Sequence, residues 1–337
     1  MMRSPFSLAG SLATLLTTLV AGHASAALFS DDFNTAASAA NYVAASNDPT
    51  SSFATFAYDY SVMGIPSAPN SGGSTIGVKL DANLEAPGTA ESLTLHTIAS
   101  YAGSYQVKFD AFINVVGTFP EGGGGSTNYL TAGVGGDGTS LNRVTSTGVG
   151  GWTAVNGDNG NGVDYRLMKD SALQGTDTGQ YAAPDNPDVA GDQIRNGEQN
   201  PYYHQWGGVD VSNFPVQGAN NVGGFPSQDG TSYLGSFGME WHEVELVVVA
   251  NGGTGGAPAM SWFIDGLRIG TLDAGNGTPF AAVGRITLGY SDPSNNIAEN
   301  PSLSFALIDN LEITAIPEPT TLVLVFSMAL MGITRRR

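Results

Sequence analysis

Apolar and polar positions alternate along residues 106–116: Val107, Phe109, Ala111, Ile113 and Val115 share one parity, and Gln106, Lys108, Asp110 and Asn114 share the other. A period of two over that length predicts a strand with one buried face and one wet face. Phe112 interrupts the wet face and reads either as packed under a loop or as stacked on a ligand. Residues 241–249 repeat the pattern, with Val244, Leu246 and Val248 toward a core and Glu243 and Glu245 outward. Asp265-Gly266 between two apolar runs signals a hairpin, because both central residues can adopt positive φ. A two-residue turn there pairs Ile264 with Leu267 and Trp262 with Ile269.

Further strands are predicted at 29–34, 128–134, 285–290 and 303–314, and residues 36–45 form a short helix or a loop. In the last strand Leu303, Phe305, Leu307, Leu311 and Ile313 share a parity, and Asp309 falls in the same phase. Residues 135–238 loosen into Gly, Asn, Asp and Pro, which predicts long loops or an insertion decorating one end of the fold, with short strands inside. The 46 glycines and 17 prolines favour short strands joined by turns over helices. The pattern predicts an all-β sandwich of antiparallel sheets, one domain over 27–314.

The two ends are different in kind. Within residues 1–26 Arg3 precedes an apolar centre from 8 to 20, and Ala24 and Ala26 make a small-residue cleavage site, as in a secretory signal peptide. At the other end, 315–337, Pro317-Glu318-Pro319 precedes an uncharged stretch, 320–333, and the chain closes on Arg335, Arg336 and Arg337. At about 1.5 Å per residue that stretch spans about 21 Å as a helix, short of a hydrocarbon core of about 30 Å. It therefore suits a transient stop better than a permanent transmembrane anchor.

Removing Arg3, Glu318 and the three terminal arginines takes the formal charge from −18 to −21. So acidic a body argues against nucleic acid as a partner and is compatible with divalent cations. The absence of cysteine excludes thiol catalysis and thiolate metal sites, and only His96, His204 and His242 survive removal of the leader.

The tail resembles the sorting signal of PEP-CTERM proteins, in the order of its proline pair, apolar segment and arginines. That resemblance covers about the last twenty residues. It implies an exosortase-like processing enzyme as partner, passing contact with the inner membrane, and a destination at the surface or in the extracellular matrix of a Gram-negative bacterium that makes exopolysaccharide. The body resembles the concanavalin A-like lectin/glucanase class, which includes laminin-G-like and laminarinase-like modules. A Trp-led strand at 241, Ile264-Asp265-Gly266 and a closing Ile308-Asp309-Asn310-Leu311-Glu312-Ile313 carry it, with Asp31-Asp32-Phe33-Asn34 as the opening. It implies a jelly-roll β-sandwich with long loops.

The laminarinase resemblance also implies a structural calcium bridging first and last strands, with Asp309 as a ligand and Asp32 or Asp31 beside it. A core-phase carboxylate is otherwise explained by hydrogen bonds at a bulge. Residues 156–164 carry oxygen donors at alternate positions but lack the closing Glu of an EF-hand, so a plain Asn/Gly turn reads better. No Glu-x-Asp-x-x-Glu or Glu-x-Asp-x-Glu pattern is present, and Glu243 and Glu245 read as a solvated face. A noncatalytic protein is therefore expected.

For glycan contact the candidates are Tyr202, Tyr203, His204 and Trp206, with Trp152 and Tyr165 as weaker ones, because flat aromatic faces cover the apolar faces of pyranose rings. The competing reading is a small core anchoring a glycine-rich loop. The expected function is glycan binding at the cell surface or in the matrix; a structural matrix protein and a laminarinase-type hydrolase are the alternatives.

Overall fold

The computed structural model describes residues 26–317 except 86–88, 118, 121–126, 145–146, 160–161, 177–178, 186–193, 212–229 and 299. Ala24, Glu318, Pro319 and Arg335 to Arg337 lie outside the described residues. Among the described residues no helix is long and apolar enough to cross a membrane.

The chain forms two antiparallel sheets. One contains β1 (Ala27–Asp31), β3 (Ala54–Asp59), β4 (Ile76–Asp81), β6 (Tyr105–Asn114), β11 (His242–Val249), β12 (Ala259–Ile264), β13 (Leu267–Asp273) and β15 (Phe305–Ala315). Its order is β13-β12-β11-β6-β15-β4-β3, with β1 also paired to β15. The other contains β2 (Tyr42–Ser46), β5 (Glu91–Tyr101), β7 (Tyr129–Gly136), β8 (Gly151–Asn156), β9 (Tyr165–Lys169), β10 (Ala172–Leu173) and β14 (Gly284–Asp292), in the order β10-β9-β8-β7-β14-β5-β2. The chain crosses repeatedly from one sheet to the other, and the inward residues of both faces merge into one core.

Alternation places that core. Val107, Phe109, Ala111 and Ile113 of β6 and Val244, Leu246 and Val248 of β11 face inward and are buried, where they meet Leu93, Leu95, Leu130 and Leu288 from the opposite sheet. Phe112 points the other way and is buried under the segment that follows β3, packed with Tyr60, Ile65, Phe305 and Leu307. The loop reading of that aromatic therefore holds.

The closing strand departs from its predicted phase. Asn310 has φ of 53° and the pairing of β15 with β6 shifts register between Asp309 and Glu312. The bulge reverses which side is core: Phe305 and Leu307 lie in the outer cluster with Phe112, whereas Leu311 and Ile313 enter the main core. A smaller shift occurs at the Asp265-Gly266 hairpin. Ile264 pairs with Leu267 as predicted, but a register shift after Trp262 places Gly270, not Ile269, opposite that ring.

The region 135–238 is more than decoration. It supplies β8, β9 and β10 of the second sheet, and β8 is buried at every position. The outer face of that sheet is covered in turn by residues following β7. Asn142 donates its backbone N–H to Thr94 Oγ1 (3.0 Å) and its side-chain amide to Thr287 Oγ1 (3.0 Å). Beside it His96 donates from Nε2 to the Ser140 carbonyl (2.8 Å) and accepts from Gly138 N–H at Nδ1 (3.3 Å), a neutral ring whose pKa burial lowers.

Candidate functional site

The aromatic cluster is built on a short turn. Asn200 accepts the Tyr202 N–H (3.0 Å) and Pro201 begins the 3-10 turn Pro201–Tyr203, so adjacent tyrosines are sent in different directions. Tyr203 is fully buried and stacks on Tyr165 with ring centroids 4.0 Å apart and planes 10° from parallel. Trp206, 5 % exposed, donates Nε1–H to the Tyr165 hydroxyl (2.9 Å), which donates to the Gly235 carbonyl (2.7 Å). Burial raises the Tyr165 phenol well above its ordinary pKa. These rings form a pillar tying loop residues to the sandwich core, and Trp206 and Tyr203 have no face available for a sugar.

Trp152 is likewise corrected. It is fully buried on the outer face of the second sheet among Tyr129, Val144 and Met168, and its Nε1–H is donated to the Asp170 carbonyl (2.7 Å). His204 is half-buried, with Nε2 held by the Glu198 carbonyl at 2.8 Å. Tyr202 is the member that stays at the surface. Half-buried, it packs edge-on against Tyr203 and donates its hydroxyl to the Arg268 carbonyl (2.7 Å). With Pro184, Asp185, Asn200 and Pro201 it lines a cleft of about 390 Å³.

The candidate calcium ligands are surrounded by hydrogen-bond donors. Asp31 Oδ1 accepts from Phe33 N–H (2.9 Å) and Ser38 Oγ–H (2.7 Å), and Oδ2 accepts from Asn41 Nδ2 (3.0 Å). Asp32 is exposed and accepts from Asn34 N–H (3.1 Å), whose hydrogen bonds lower its pKa. Asp309 is buried and accepts from the Tyr60 hydroxyl (3.0 Å) and Asn310 N–H (2.8 Å). Burial pushes its pKa up to about 7, with the charges of Asp110 and Asp32 adding to the effect.

Among the described residues no three His, Asp or Glu side chains converge on a point that could hold a metal ion. The groups recorded on Asp31 and Asp309 are N–H and O–H donors, and these hydrogen bonds satisfy the buried carboxylate at the bulge. Residues 156–159 likewise form a turn, in which Asn156 Oδ1 accepts the N–H groups of Asp158 (2.9 Å) and Asn159 (2.8 Å).

Glu243 and Glu245 face outward and share the Lys108 ammonium at 2.8 and 3.7 Å. They are ion-paired groups on a solvated face.

A larger groove went unread in the sequence. Strand β4 pairs with the first half of β15 and β1 with the second half, which leaves an opening beside Asp309 and Asn310. Over it lies a groove of about 900 Å³ whose lining comes from β1, the turn after it, Asn70, β6, β11 and β15. These residues are up to 282 positions apart (Ser30 to Glu312), so no local motif marks the site. Two signals pointed there: Asp31-Asp32, which the sequence set beside the closing strand and which line the groove, and Asp309-Asn310, whose Asn tolerates the left-handed backbone of a bulge.

No family model matches the chain, and no curated protein matches it. Among solved structures it is similar to an endo-β-1,4-glucuronan lyase from Trichoderma reesei (TM-score 0.42, 8% identity, covering 86% of this chain and 96% of that one). A protein of unknown function with a galectin-like fold from Bacillus subtilis superposes with TM-score 0.40 and 8% identity over 86% of this chain and 96% of that one. The Bacillus licheniformis β-glucanase does so with TM-score 0.39 and 10% identity over 86% and 98%. At these values the likeness carries no argument about sites, and the sandwich rests on the strand pairing of the chain itself.

Proposed function

We propose that this chain is an exported, noncatalytic glycan-binding β-sandwich, delivered to the cell surface or extracellular matrix by a PEP-CTERM-type tail that an exosortase-like enzyme processes. The cleft at Tyr202 carries the reading. A tyrosine ring fixed by its own hydroxyl, flanked by two prolines and rimmed by Asp185, offers an apolar platform beside a carboxylate, as a pyranose requires. The tail supports the address, since Pro317 follows the end of β15 by only two residues and the signal starts where the sandwich stops. The ion pairing of Glu243 and Glu245 with Lys108 supports the noncatalytic assignment.

The test is a polysaccharide array probed with the chain from residue 27 to 317 and with Tyr202→Ala. Binding by the parent, lost in the variant while its unfolding transition is kept, supports the reading. A folded parent that binds nothing on the array refutes it and leaves a structural matrix protein.

A further inference from the structure

His242 opens β11 with its ring turned inward and 1 % exposed, between carboxylates from two different segments. Nδ1 lies 2.6 Å from Asp265 Oδ2. Because an ionised carboxylate only accepts, Nδ1 carries hydrogen in both charge states of the ring, and the proton that comes and goes is the one on Nε2. That atom is buried and, among the described residues, has no hydrogen-bond partner. Phe237 and Trp206 lie against the ring, and the acceptor nearest to hand, Glu240 Oε1, stops 3.8 Å from Nε2. What holds it there is a loop: Glu240 Oε1 accepts the Gly207 N–H at 2.6 Å.

Both attachments of Tyr202 lead back to these two carboxylates. Gly207 lies at the far end of the loop that begins with the Asn200-capped turn and carries Tyr202. The Arg268 carbonyl that receives the Tyr202 hydroxyl sits on the hairpin whose turn begins with Asp265. Asp265 is itself fixed, its Oδ1 accepting the Glu243 N–H (2.8 Å) and its own N–H going to the Glu243 carbonyl (2.9 Å). Glu240, with a side chain 35 % exposed, is the partner free to move. The other titratable groups around the ring do not compete for its proton. Tyr165, behind Trp206, is kept neutral by burial. Lys108 and Glu243 pair on the outer face of the sheet, Asp110 is held there by Asn70 and Asn310, and Arg268 is exposed.

We infer that His242 is a pH-sensitive latch on the Tyr202 loop, an inference that rests on Tyr202 being the glycan surface. With the ring neutral, Nε2 presents only a lone pair and Glu240 serves Gly207. Protonation puts a donor and a positive charge on Nε2 among apolar rings, where an unpaired charge is costly, and Glu240 closes by about 1 Å to hydrogen-bond distance. The Gly207 N–H then loses its acceptor. The loop keeps other ties, such as the Gly235 N–H to the Trp206 carbonyl (2.9 Å), so it loosens without detaching, and glycan affinity falls in acid.

NMR of the purified chain across about pH 5 to 8, the range in which imidazoles change charge, tests the latch without any ligand. The Gly207 amide shift should move with the same midpoint as the His242 ring carbons. Glu240→Gln still offers Gly207 an acceptor but has no charge for an imidazolium, so it should leave the His242 titration visible and abolish the Gly207 response. On the polysaccharide array, signals that Tyr202→Ala abolishes should fall about three- to tenfold between about pH 7.5 and 5.5 in the parent and in His204→Gln. They should not fall in His242→Asn, whose amide keeps a donor for Asp265 and takes no proton. A His242 ring that does not titrate in this range, a Gly207 amide indifferent to its titration, or an array response that depends on His204 would each overturn the inference. A Gly207 response with an empty array keeps the latch and removes the proposed function; array binding through Tyr202 that ignores pH does the reverse.

Discussion

Trp206→Ala separates a structural pillar from a ligand platform. The indole is 5 % exposed and its N–H is the donor received by Tyr165, so truncation removes nearly the whole buried ring and one hydrogen bond. Core Trp or Phe truncations cost about 3–5 kcal/mol, and the lost hydrogen bond, worth about 1 kcal/mol net, is contained in that range. Tyr165 is not left with an unpaired donor, because its hydroxyl hydrogen goes to the Gly235 carbonyl. Against a total stability of about 5–15 kcal/mol, a loss of this size lowers the melting temperature by about 6–20 °C at 2–4 °C per kcal/mol. Tyr202→Ala, from a half-buried position, should cost only about 1–2 kcal/mol. Circular dichroism during urea and thermal unfolding measures both. Glycan binding lost in Trp206→Ala with stability within about 0.5 kcal/mol of the parent would refute the reasoning, because the ring would then be contacting ligand.

Asp309, with its folded pKa raised to about 7 from an ordinary 3.8, contributes stability that is fully present below about 3.8 and is lost as pH rises through about 7. Asp292, pushed up to about 7 mainly by burial, acts in the same direction. His96 opposes them, its contribution being present above about 6.5 and lost as pH falls. Asp309→Asn should therefore be at least as stable as the parent at pH 8 and should flatten the decline between pH 6 and 8 by on the order of 1–3 kcal/mol, since the Tyr60 hydroxyl can turn wholly to the Ser74 carbonyl at 3.0 Å. A variant less stable than the parent at pH 8 would show that the ionised carboxylate is needed. Millimolar calcium should leave the melting temperature of the parent unchanged; a rise that Asp309→Asn abolishes would reinstate the cation.

What the sequence disclosed follows from which surfaces are wet. Strands β6 and β11 were legible because Lys108, Glu243 and Glu245 mark a solvated face against an apolar one. Strand β8 was not, because all six of its residues are buried and Gly151 to Asn156 shows no alternation. The phase of β15 was read through Asp309 as if the strand were regular, and one residue at positive φ reversed it. In the aromatic cluster the small-core reading holds for Tyr203 and Trp206, but composition cannot say that Tyr203 turns in and Tyr202 stays out, since the Asn200-capped turn decides it. The groove over the β1/β4 opening is assembled by topology, from residues as far apart as Ser30 and Glu312.

The place of β15 has a consequence in time. This late strand pairs with β6, β4 and β1, and without it the first sheet divides into unconnected parts. A chain made from its amino end therefore cannot complete that sheet until residue 315 is in place, although the second sheet, which lacks β15, can pair before it.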